Sequence, residues 1–174
     1  SPMASNFDVT PLNQFANAGG AKNYAWTFKA KNSSAGVNAI MTIPGDGSGP
    51  ITSDDWTAPQ SSVPTDPGYV WIEDGTCDVT FSSITGRTII VNQPTSPGCQ
   101  LDETFIVHYD NATAPSGLGD HTFTSAVVTT SPIVRVVTGT TLVLNSSDST
   151  SDYLQSVTFT ATISPDPGSG SISF

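Results

Sequence analysis

Residues 140–174 read TTLVLNSSDSTSDYLQSVTFTATISPDPGSGSISF, and their pattern decides the fold class. A short apolar strand near Thr140 leads into a polar Ser/Asp turn. Val157, Phe159, Ala161 and Ile163 then alternate with polar residues, a Pro/Gly turn follows, and a last strand is expected at Ser171–Phe174. Alternation at period two, with turn residues between the runs, marks a half-buried antiparallel sheet. Three strands fall short of a closed sandwich, which takes about seven strands and about 100 residues. Residues 140–174 are therefore expected to form an incomplete domain whose apolar face needs cover.

Upstream, the same signature repeats. Phe7–Thr10 is a short strand, and Tyr24, Trp26 and Phe28 share one face of another, with Ala25, Thr27 and Lys29 on the opposite face. Val37–Ile43 is stopped by the turn Pro44-Gly45-Asp46-Gly47, and Ser48–Gly68 forms a long Pro/Ser/Asp-rich loop around Trp56. Further strands are expected near Tyr69–Glu73, Asp78–Ser82, Arg87–Val91, Thr104–Tyr109, His121–Val128 and Ile133–Thr138, with Gly139 as the hinge. No window carries a helical stripe. The expectation is an all-β chain: a tail at 1–5 available to a partner, an antiparallel β-sandwich over 6–138, and the incomplete domain at 140–174.

Composition narrows the function classes. Only 11% of residues are charged and 36% are hydrophobic, but the apolar residues fall in alternating runs that can build a core. The net charge of −10, from 15 acids against 5 bases, leaves no basic patch for nucleic acid or anionic lipid. No stretch approaches the ~20 apolar residues of a membrane-spanning helix. Cys77 and Cys99, with the two distant histidines, are too few for a closed metal site. A disulfide is the expected state; it would contribute ~3 kcal/mol and implies a compartment outside the reducing cytoplasm.

The C-terminal segment resembles the opening of bacterial Ig-like repeats, which occur in tandem in large secreted and cell-surface proteins. The shared pattern is a Thr-rich strand, a polar turn and a Q-S-V-T-F-T-A-T-[IV] strand, here Gln155–Ile163. Over 6–138 the likeness, to Ig-like sandwiches of surface layers and adhesins, is looser. It rests on Asp8–Pro11, Ala18-Gly19-Gly20, Tyr24–Phe28, Thr42–Gly47 and Thr104–Tyr109. Where relatives often carry Tyr before T-F-T this chain has His121, so at a tyrosine corner the histidine would supply the backbone hydrogen bond.

No catalytic constellation stands out. There is no nucleophile elbow, P-loop, H-E-x-x-H or C-x-x-C, and the expectation is no enzyme. His108 and His121 read as structural. Paired carboxylates occur at Asp54/Asp55, Glu73/Asp74 and Asp102/Glu103, but adjacent residues on a strand face opposite sides and such pairs rarely act as acid–base couples. Calcium is the candidate cofactor, because loop carboxylates suit a hard cation; Asp54, Asp55, Asp74 and Asp78 are its candidate ligands, with Asp46, Asp66 and Glu73 nearby. Trp56, Tyr69 and Trp71 form a candidate glycan platform. Lys29 faces away from the core, against an internal isopeptide bond. Asn32, Asn111 and Asn145 begin glycosylation sequons.

These observations point to a non-catalytic extracellular subunit of a cell-surface fibre, sheath or surface layer. An open sheet edge invites strand addition, so copies of the chain are the expected partners, with a neighbour's Ser5–Thr10 as the donated strand. A stalk segment, or an adhesin module that binds carbohydrate or a host surface, is the alternative. A spacer from a secreted hydrolase is a third.

Overall fold

The structure, a computed structural model, describes residues 6–32, 38–45, 55–93, 98–164 and 171–173. The chain divides into two units, Ser1–Val137 and Thr138–Phe174, and both are all-β.

Unit 1 is a two-layer sandwich. One layer runs in the order β1 (Phe7–Thr10), β3 (Ala21–Ala30), β8 (Thr104–Thr113), β5 (Tyr69–Asp74), with every pairing antiparallel. The other contains β2 (Asn13–Asn17), β10 (Ile133–Val137) and β9 (Gly119–Thr122), and then β4 (Ala39–Thr42), β7 (Thr88–Asn92) and β6 (Thr80–Thr85). Its halves meet where Thr42 and Thr124 exchange backbone hydrogen bonds of 2.8 and 3.2 Å.

Alternation explains the layers. Tyr24, Trp26, Phe28 and Ala30 of β3 point inward with Phe105, Val107 and Tyr109 of β8, while Val134 and Val136 of β10 face them from the other sheet. Phe28 stacks on Phe105 at 5.1 Å, and Phe123 packs against Trp26 at 4.9 Å and Trp56 at 5.1 Å. The Cys77–Cys99 disulfide is buried and brackets the β6–β7 hairpin, with the two Cα atoms 5.3 Å apart. In the chain-entropy account such a link contributes about 3 kcal/mol.

Three expectations need correction. The sandwich is not wholly antiparallel: β2, which its polar sequence did not announce, pairs parallel with β10, Ala16 opposite Val136. The strand expected at His121–Val128 breaks after Thr122, and Phe123, Val127 and Val128 reach the core from irregular chain. In unit 2, Ser171–Ser173 lie in no strand, and Phe174 lies outside the described residues.

Burial also sets the alkaline limit of unit 1. Removal from water pushes the Tyr24 hydroxyl up from 10.0 to about 12. Tyr109, which donates to the Thr57 carbonyl, is raised as well, by burial first and by Tyr24 second, with Arg87 opposing. Both groups are neutral in the folded chain. Their contribution is therefore complete below the ordinary tyrosine pKa of 10.0; the Tyr24 part is lost as pH climbs toward about 12, and the Tyr109 part at higher pH still. Alkaline titration is expected to release tyrosinate absorbance together with loss of near-ultraviolet circular dichroism. Ionisation of every tyrosine ahead of unfolding would contradict this.

Candidate functional site

Unit 2 is a hairpin in which β11 (Thr141–Ser146) and β12 (Phe159–Ser164) pair antiparallel with no break in register. Leu142 stands opposite Ile163, Leu144 opposite Ala161 and Ser146 opposite Phe159. Leu142, Leu144, Phe159, Ala161 and Ile163 therefore share one face, while Thr141, Val143 and Asn145 line the other with Thr160, Thr162 and Ser164. Leu142 and Leu144 are each 57% exposed, and Phe159 is 58% exposed. An isolated two-stranded sheet is marginal in water, so this face is stabilised only when covered.

Among the described residues, neither outer edge of the hairpin pairs with a further strand. Proteins blunt exposed strands with lysine, proline, bulges or covering segments. Neither β11 nor β12 contains a charged residue or a proline. In unit 1 the corresponding edges are occupied. The β1 edge bonds to residues 127 and 129 through Phe7, at 3.0 and 3.3 Å. On β2, the Lys22 ammonium bonds to the Phe15 carbonyl at 2.8 Å, and Gln60 accepts the Val70 N–H of β5 at 2.8 Å. A bulge between Phe81 and Ser83 interrupts β6. The described edges of unit 1 thus carry the bonds and bulge that blunt a strand, and β11 and β12 carry no charged residue or proline.

The sequence-derived candidates scatter. Asp54 and Asp46 lie outside the described residues. Asp55 holds Arg87 at 2.6 Å, Asp74 and Asp78 are exposed, and among the described residues no three acid, histidine or cysteine side chains gather around a common point. Lys29 is exposed and pairs with Asp102 at 3.5 Å. Asn32, Asn111 and Asn145 are exposed. Asn111 sits at a φ of 48° and its N–H donates to Asn23 Oδ1 at 2.8 Å.

The aromatic platform needs redrawing. Trp56 is 2% exposed and belongs to the core. Its indole N–H donates to Nδ1 of His121 at 3.3 Å, so Nε2 carries the proton that the imidazole gives to the Gly117 carbonyl at 2.7 Å. His121 thereby makes the local backbone bond expected of it.

Tyr69 and Trp71 do lie on the solvent face of β5, and the register places Trp71 beside His108 of β8. The two rings are cofacial, 3.8 Å apart and 4° from parallel. Glu73 Oε2 lies 2.7 Å from His108 Nε2, and the indole N–H of Trp71 donates to Asp110 Oδ2 at 2.7 Å. From sequence, His108 reads as structural, and nothing singles out Asp110, which lies just past the strand expected at Thr104–Tyr109. Their pairing with β5 needed a register that the sequence does not carry.

No protein-family model and no curated protein sequence matches the chain. Among solved structures, the chain is similar to a non-cellulosomal cohesin from the hyperthermophilic archaeon Archaeoglobus fulgidus, at 13% identity. That match covers 78% of this chain and 92% of the cohesin, with a TM-score of 0.44.

Proposed function

We propose that the protein is a non-catalytic, extracellular subunit of a cell-surface fibre, sheath or layer, and that copies associate by strand addition through unit 2. One observation carries this reading: unit 2 combines an uncovered apolar face with two strand edges that hold no guarding residue. The buried disulfide suits an oxidising compartment. No helix among the described residues is long and apolar enough to cross a membrane.

The donated strand must be revised. Phe7 and Val9 are 0% and 3% exposed within β1 of their own sandwich, so the Phe7–Thr10 part of the expected donor strand Ser5–Thr10 is already in use; Ser5 lies outside the described residues. The hairpin itself is self-complementary. Antiparallel pairing of β12 with β12 of a second copy about Ala161 sets Phe159 against Ile163 and continues the apolar face. Pairing of β11 with β11 about Val143 sets Leu142 against Leu144. Two such self-complementary contacts, one on each edge, extend without closing.

Sedimentation velocity of the whole chain over a concentration series tests this. Association is expected to grow with concentration and, in Ala161→Lys, which puts a charge at the centre of the β12 contact, to stop at the dimer made through β11. Unit 1 should keep its melting profile in that variant. A wild-type chain that stays monomeric throughout, or growth beyond the dimer in Ala161→Lys, would overturn the proposal.

A further inference from the structure

We propose that the solvent face of β5 and β8 is a saccharide-binding subsite, with Trp71 as its stacking surface and Glu73 and Asp110 as its hydroxyl acceptors. The site lies on unit 1 and does not depend on strand addition at unit 2.

The argument begins with rigidity. Trp71 and His108 are direct cross-strand partners, and each ring is held at its polar edge by a carboxylate: Trp71 by Asp110 and His108 by Glu73, both at 2.7 Å. Two stacked rings tied at both ends lose little freedom when a ligand arrives, and that lowers the entropic cost of binding. Because β5 is the outermost strand of its layer, the indole face turned away from His108 looks toward the sheet edge. Tyr69, two residues back on the same strand, extends the aromatic surface.

The chemistry selects the ligand class. A pyranose presents C–H groups on one face and hydroxyls around its rim. It therefore matches an aromatic plane flanked by fixed acceptors. A basic peptide is the competing occupant of two carboxylates beside an indole, and the test below separates it from a sugar.

Trp26 and Trp56 are 0% and 2% exposed, so Trp71 is the tryptophan whose emission should respond to a bound sugar. The test is affinity electrophoresis of the whole chain through gels containing xylan, mixed-linkage β-glucan, mannan or chitosan, followed by fluorescence titration with the polysaccharide that retards it. Retardation by a neutral polysaccharide is expected, with an emission change. The affinity should fall roughly tenfold or more in Trp71→Ala and several-fold in Glu73→Gln and Asp110→Asn. Trp71→Phe, which keeps a ring, should retain part of the binding and guards against misfolding as the cause. The proposal fails if no neutral polysaccharide retards the chain or if Trp71→Ala binds as well as wild type. It also fails if only cationic chitosan is held and salt abolishes the effect, which would mark the face as a docking surface for a basic partner.

Discussion

Trp56→Ala is expected to cost about 3–5 kcal/mol of folding stability, the range for removing a large aromatic from a packed core. Its ring meets Tyr24 edge-on at 5.5 Å, Phe123 at 5.1 Å and His121 at 5.8 Å, and its N–H fixes the His121 tautomer. Truncation would leave a cavity and an unpaired imidazole nitrogen together. Trp71→Ala, on the solvent face, removes a cross-strand stack and is expected to cost about 1 kcal/mol or less. Urea denaturation followed by circular dichroism compares them directly. Coincident midpoints for the two variants would contradict the placement of Trp56 in the core.

Asp55→Ala is expected to destabilise unit 1 by about 3 kcal/mol, because it strands a mostly buried cation. Arg87 and Asp55 meet at 2.6 Å with side chains only 11% and 16% exposed. The guanidinium also lies where residue 45 would carry a side chain: a Cβ built on Gly45 falls 0.7 Å from Arg87 Nη1. Gly45→Ala must therefore displace the Arg87 guanidinium, and where that displacement breaks the Asp55 contact its cost should approach that of Asp55→Ala. The double variant should then cost little more than either single one, since both break the same contact. Additive losses in thermal or urea unfolding would show that Gly45 and the ion pair act independently.

What the sequence discloses follows from how local each signal is. The inward set Tyr24, Trp26, Phe28 and the outward set Ala25, Thr27, Lys29 were readable because a strand's two faces alternate within the chain itself. The hairpin of unit 2 was readable for the same reason. Trp56 was misplaced because a Pro/Ser/Asp-rich loop gives no sign that its one aromatic turns inward. The strand β2 was missed because Asn13, Gln14 and Asn17 carry no apolar alternation, and its partner β10 lies more than a hundred residues away. The Trp71–His108 stack depended on a register between distant strands, which alternation does not set. The disulfide was legible from counting, since two cysteines leave one pairing.

The parallel pairing of β2 with β10 has a mechanical consequence. The chain enters β2 from one end of the pair and leaves β10 from the other, so a pull applied at Asn13 and at Val137 slides these strands past each other. The ladder from Asn13/Ile133 to Asn17/Val137 is then loaded in shear, and its bonds must yield together rather than one at a time as in unzipping. A pull applied at those two points would thus meet a contact that shears rather than unzips.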